Sequence, residues 1–191
     1  MAKIGLNNFR YSKLTESETG TATYAGAKKP ARAVSCKVSV STSSASLYAD
    51  DVLAESDTSF NNGTVTIGID EEDNATMADL LGHTLAEEGG EMVRNANDVA
   101  PYVGLGRVIV KMVNGARKSK VEFLCKVKFS EPSQDDKTKG ENVEFTTSEL
   151  EGTVSTLADG TWSKTKTFDT QADAIKYLEG LMAAPGAVSG H

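Results

Sequence analysis

Apolar and polar residues alternate along several stretches of this chain, with a period of two more often than one of three to four. Val34, Cys36, Val38 and Val40 alternate with Ser35, Lys37, Ser39 and Ser41, the pattern of a strand with one buried face. Val65, Ile67 and Ile69 repeat it against Thr64, Thr66 and Gly68. The strongest pattern is a hairpin. Val108, Val110 and Met112 share one face, Asn114-Gly115 opens a short loop, and Val121, Phe123, Cys125, Val127 and Phe129 share a face of the returning strand. Further strands are expected at 84–93, from Tyr102 onward, at 143–146 and at 152–157, with Asp159-Gly160 turning the chain into Trp162 and Phe168.

Two segments follow the helical period. Residues 75–81 put Met77, Leu80 and Leu81 on one face, with Asp73 or Asn74 as the cap and Gly82 as the stop. Near the C-terminus Thr170 caps a second helix, with Asp173 as a capping-box-like partner. Its apolar stripe is Ala174, Ile175, Leu178, Leu181 and Met182, and Ala184-Pro185-Gly186 ends it. About eight strands and two helices predict a mainly β chain, a two-sheet β-sandwich or partly closed barrel flanked by a helix.

Between these elements lie stretches without sustained periodicity. Residues 1–30 are expected to form an N-terminal arm, 31–184 the β domain and 185–191 a loose C-terminal tail. Within the domain, 41–62 is expected to be a long loop, with Asn61-Asn62-Gly63 as a turn.

Length suits one domain: 191 residues can bury a core without staples. The 17 Ser and 19 Thr fit β-structure better than a helical bundle. Two cysteines are too few for a disulfide scaffold, and both fall on apolar strand positions, so they are expected to be reduced core residues. No apolar run is long enough for a transmembrane helix, and the first ten residues lack the apolar core of a signal peptide. A soluble, intracellular, globular protein is expected.

Charge sharpens the picture. The net charge of −7 opposes nucleic-acid binding, which depends on Lys and Arg neutralising phosphates. Its distribution is uneven. Between Val38 and Val93 there are 12 acidic residues and no Lys or Arg; between Arg107 and Lys128 there are seven basic residues against Glu122 alone. Such polarity suits head-to-tail contacts between identical subunits, of the kind that close rings or grow filaments, and equally suits two solvated sheet faces that neutralise each other within one subunit. Candidate contact residues are therefore Arg107, Lys111, Arg117, Lys118 and Lys120 on one side, and Asp50, Asp51, Glu55 and Asp57 on the other.

Catalytic patterns are scarce. His83 and His191 are the only histidines, and His83, just after a helix stop, is expected to be a capping or surface residue. No nucleophile elbow, phosphate-binding loop or zinc-protease motif is present. Gly104-Leu105-Gly106 precedes a strand instead of a helix and so fails as a dinucleotide loop. Residues 70–74 (Asp-Glu-Glu-Asp-Asn) lack the glycine and spacing of a calcium loop, and helix capping accounts for their acids. The residues point to no enzyme, no cofactor and no metal.

Several segments, taken in order, resemble the major tail protein family of long-tailed bacteriophages. They are Val108-Ile109-Val110-Lys111 through Asn114-Gly115, then Leu124-Cys125-Lys126-Val127-Lys128-Phe129-Ser130-Glu131-Pro132-Ser133, then residues 138–147 with Val143-Glu144-Phe145-Thr146-Thr147. Upstream, Lys37-Val38-Ser39-Val40-Ser41, Ser46-Leu47-Tyr48-Ala49-Asp50-Asp51 and residues 63–70 agree, as do Glu149-Leu150-Glu151-Gly152-Thr153 and the C-terminal helix downstream. Leu124 and Cys125 stand where the family often has aromatic residues. The resemblance implies a tail-tube subunit, similar in fold to the type VI secretion tube protein. It implies six copies joined by their inner sheets into a ring, and rings stacked into a conduit. Double-stranded DNA would pass through without specific binding, past a wall whose every subunit adds −7. Implied partners are the subunit itself, a tape measure protein inside the tube, and tail-tip and terminator proteins. The implied location is the virion tail, after synthesis in the host bacterial cytoplasm. The arm 1–30 and the segment 41–62 would lace rings together. Two other readings remain: a secretion-type tube or other tail-associated protein of the same fold, and a monomeric β-sandwich binding module.

Overall fold

The computed structural model describes residues 2–30, 33–49, 52–70, 73–86, 90–133 and 148–184. The strands among them are β1 (Ala2–Glu16), β2 (Ala22–Tyr24), β3 (Ala33–Ala49), β4 (Val52–Ile69), β5 (Thr84–Leu85), β6 (Met92–Val93), β7 (Tyr102–Val113), β8 (Ala116–Phe129), β9 (Ser148–Ser155) and β10 (Ser163–Phe168). The helices are α1 (Asn74–Leu81) and α2 (Gln171–Leu181). One antiparallel sheet runs β2-β1-β7-β8-β9-β4-β3, with β10 also on β8, and β5 and β6 form a separate small ladder.

The mainly β architecture with a flanking helix is as expected, but the two layers are parts of one sheet, which does not close into a barrel. β8 makes this possible. On one edge it pairs with β7; on the other, Ser119 to Leu124 pair with β10 and Lys126 to Phe129 with β9. Val121, Phe123 and Cys125 belong to one core, and Leu124, Val127 and Phe129 to the other, so the strand changes face between Cys125 and Val127. The first core seats Ala174, Leu178 and Met182 of the α2 segment on Val108, Val121 and Phe123. The second packs Val65, Ile67 and Leu150 against Val103, Leu105 and Leu124, with Met77, Leu80 and Leu81 of α1.

Both helices start as the sequence predicts. Asp73 accepts from the Thr76 amide at 3.1 Å, and Gly82 stops α1 at φ 80°. Thr170 accepts from the Asp173 amide at 3.2 Å and donates to its carboxylate at 2.6 Å.

Three expectations are corrected. The N-terminal stretch is not an irregular arm: β1 pairs with β7 along its length and buries Phe9 and Tyr11. Its period is hidden by bulges between Lys3 and Gly5 and between Asn7 and Arg10, where Asn8 takes φ 49°. The segment 41–62 is not a loop but the distal half of a hairpin, registered from Ser41 opposite Asn62 to Ala49 opposite Val52. Its apolar residues, Leu47, Tyr48, Val52, Leu53 and Phe60, do not alternate regularly with polar ones, so a period-two search passes over it. Asn61-Asn62-Gly63 accordingly lies inside β4 rather than in a turn. The expected strand at 143–146 and the tail 185–191 lie outside the described residues.

Candidate functional site

The sequence placed seven basic residues on the β7–β8 hairpin, and the structure sorts them. Arg107 lies opposite Glu122, ion-paired to it through Nε (2.9 Å) and Nη2, and Nη1 donates to the Cys36 carbonyl of β3 at 3.0 Å. Lys120 joins Glu122 at 3.6 Å, and Lys118 pairs with Asp169 at 2.8 Å. These three candidate contact residues are thus engaged within the chain. Lys111 and Arg117, near the hairpin turn, make no ion pair among the described residues, and Lys111 stands opposite the like-charged Lys118. The hairpin end stays electropositive. On the acidic side, Glu55 and Asp57 fall on the distal half of β4, opposite Leu47 and Ala45 of β3, while Asp50 and Asp51 lie outside the described residues.

Side-chain constellations that sequence reasoning missed lie elsewhere. Asp79 of α1 gathers Lys13 of β1 at 2.7 Å, Lys28 from the segment after β2, and the Tyr11 hydroxyl at 3.1 Å. Burial alone would raise the Asp79 carboxyl, but the two lysines outweigh it and hold the carboxyl below the usual range. The same burial, reinforced by Asp79, raises Tyr11. An open cleft of about 640 Å³ adjoins this cluster, with Lys29 and His83 on its wall. The partners come from three separate elements, so no sequence spacing announces them.

His83 is a correction: its side chain is only 6% exposed. Nδ1 meets Asp98 at 2.8 Å and Nε2 meets Glu131, whose other oxygen lies 4.0 Å from Arg94. The His83 bond, with the Asn95 amide, holds the Asp98 carboxyl below its usual range. Both ring nitrogens are taken by carboxylates, so the ring ties three segments together and presents no free nitrogen to a substrate. Among the described residues no group of three or more His, Cys, Asp or Glu is placed to hold a metal. Burial pushes the Cys125 thiol up to about 11, and Cys36 is raised for the same reason despite Arg107 beside it.

The feature with the clearest chemical demand is a strand edge. β3 pairs with β4 on one side and has no strand on the other among the described residues. Over its 17 residues the sole charge is Lys37, and there is no proline. Natural sheets shield such edges with charges, prolines or covering segments, because unpaired N–H and C=O groups template pairing with another chain. From Ser41 outward the β3–β4 ribbon also leaves the third strand behind, since β9 reaches only to Val154 opposite Gly63. An isolated two-stranded ribbon is marginally stable in water, so its backbone gains from a further strand or surface.

No helix among the described residues is long and apolar enough to cross a membrane. No protein-family model matches this chain, and no curated protein matches it in sequence.

Proposed function

We propose that this protein is a self-assembling structural subunit of a tube, a tail-tube protein of the long-tailed phage type. In this reading, six copies form each ring, and stacked rings conduct double-stranded DNA without binding it. The observation that carries it is β3, a 17-residue strand with one charge and no proline that is an edge strand among the described residues, continued into a ribbon that no third described strand supports. A strand of this kind in a monomer invites aggregation; in a subunit it is where a neighbour attaches. The net charge of −7 supports the second half of the reading, because phosphates passing an acidic wall find no counterion-releasing contacts. The tape measure, tail-tip and terminator proteins follow as partners within the same reading, as does the virion tail as the location.

Electron microscopy of the purified chain across a concentration series tests it. Rings or tubes of uniform diameter are expected, and Val38→Pro, which removes a backbone donor from β3, is expected to abolish them. A chain that stays monomeric at every concentration, or that stops at a closed dimer, overturns the reading.

A further inference from the structure

The β3–β4 ribbon meets the body of the protein at an aromatic stack. Phe60 of β4 lies on Trp162 with ring centroids 4.9 Å apart and planes 8° from parallel. A bulge makes this contact possible. Ser41 pairs with Asn62 and Thr42 with Phe60, so Asn61 has no partner of its own. Val65 and Ile67 point into the core, and an unbroken alternation through Gly63 would point Asn61 there and Phe60 outward. The extra residue reverses that and sets Phe60 on the core side, opposite Thr42.

Trp162 is held firmly on the other side of the stack. Its carbonyl accepts from the Cys125 amide at 2.9 Å, where the edge of β8 passes from β10 to β9. Its side chain packs on the core that holds Leu124 and Val154. The indole is therefore a plate fixed to the body, and it stands where β4 has just lost its β9 partner at Gly63.

We infer that Trp162 is a positioning residue for the ribbon: the Phe60–Trp162 stack sets the direction in which the ribbon leaves the sheet. A two-stranded ribbon with a bulge at its root bends there, and a face-on aromatic contact removes that freedom. The link from direction to assembly rests on the proposed tube function; the direction itself does not.

The test separates the two. Spin labels are placed at Ser46→Cys on the ribbon and Thr153→Cys on β9, with Cys36→Ser to leave only the buried Cys125. The distance distribution is then read in the dilute, unassembled chain. A single narrow peak is expected for the parent and for Trp162→Phe, and loss of that peak for Trp162→Ala and Phe60→Ala. Phe60→Ala leaves the indole in place, so it carries the test if Trp162→Ala fails to fold. A peak that stays narrow in Phe60→Ala overturns the inference. Loss of the peak in a protein whose parent forms no tubes leaves this inference standing and removes the tube function instead.

Discussion

Arg107 and Glu122 stand directly opposite each other on β7 and β8, and the guanidinium nitrogen left over reaches across the layer to the Cys36 carbonyl on β3. One side chain thus ties the central strands to the edge strand. Arg107 is 11% exposed and Glu122 23%, so the pair is partly withdrawn from water and its hydrogen bonds are charge-assisted. Arg107→Gln is expected to destabilise the monomer by about 1.5–3 kcal/mol, read by chemical denaturation. A change near zero would mean that the pair is solvated after all.

The same pair sets a pH dependence. Burial works to raise the Glu122 carboxyl, but Arg107 and then Lys120 outweigh it, and the net direction is down. A carboxylate depressed in the folded state contributes stability that is present above its unfolded value and is lost as pH falls through the folded one. The parent chain is therefore expected to lose stability below about pH 4.3, the ordinary glutamate value, more steeply than Glu122→Gln. Parallel curves for the two proteins between neutral and acid pH would refute this.

Gly106 lies under α2. A Cβ there would overlap Leu178 Cδ1 and stand 3.1 Å from Met182 Cε, with the helix held on Val108 and Phe123 by those two side chains. Gly106→Ala is expected to push α2 outward and to cost about 1–3 kcal/mol, seen as a lower Tm and faster amide exchange in α2. An unchanged Tm would mean that Leu178 can change rotamer at no cost.

Ser12 on β1 has a buried hydroxyl with no hydrogen-bond partner among the described residues. Removing an unsatisfied buried polar group relieves its desolvation cost, so Ser12→Ala is expected to stabilise the chain by about 1 kcal/mol. A loss of stability on thermal denaturation would reveal a partner that the hydroxyl does have.

What the sequence disclosed and what it hid divide along one line: whether a segment packs against a second layer. Ile67 and Phe123 each face a core, their neighbours face the other way, and both strands are visible as alternation. The caps at Asp73 and Thr170 are equally legible, because a cap is a local exchange between residues two or three positions apart. The distal ribbon is invisible by the same logic. Ser43 and Ser59, both small and polar, pair across it, the apolar residues beyond them follow no period of two, and only the ladder makes it a strand. Phe9 and Tyr11 are core residues that bulges hide from a period-two search. The Asp79 and His83 clusters were illegible for a different reason. Their partners are 15 to 68 positions away, and topology alone brings them together.

The charge polarity seen in the sequence survives in reduced form and leads to the last prediction. Arg107, Lys118 and Lys120 have partners within the chain, so they are poor candidates for holding a neighbour. Lys111 and Arg117 remain, at the end of the β7–β8 hairpin, facing Lys118 and Met112 across the ladder. The acidic segment offers Glu55 and Asp57 on the ribbon, while Asp50 and Asp51 lie outside the described residues. Single exposed pairs contribute only about 0.2–1 kcal/mol and are screened beyond roughly 8–10 Å at ordinary salt. Any effect must therefore come from repetition around a ring, and must act on assembly more than on folding. Reversing Lys111 and Arg117 to Glu is expected to leave the monomer Tm nearly unchanged while slowing tube growth, with a larger effect at low salt than at high salt. Reversing Glu55 and Asp57 to Lys in the same chain is expected to restore part of the rate. Lys176→Glu on the exposed side of α2 controls for net charge and is expected to do little. If the charges served only to balance one another inside a subunit, the double reversal would lower the monomer Tm and leave tube growth alone. Light-scattering traces of tube growth that superimpose for the parent and the double reversal, at every salt concentration, would exclude a contact through this hairpin end.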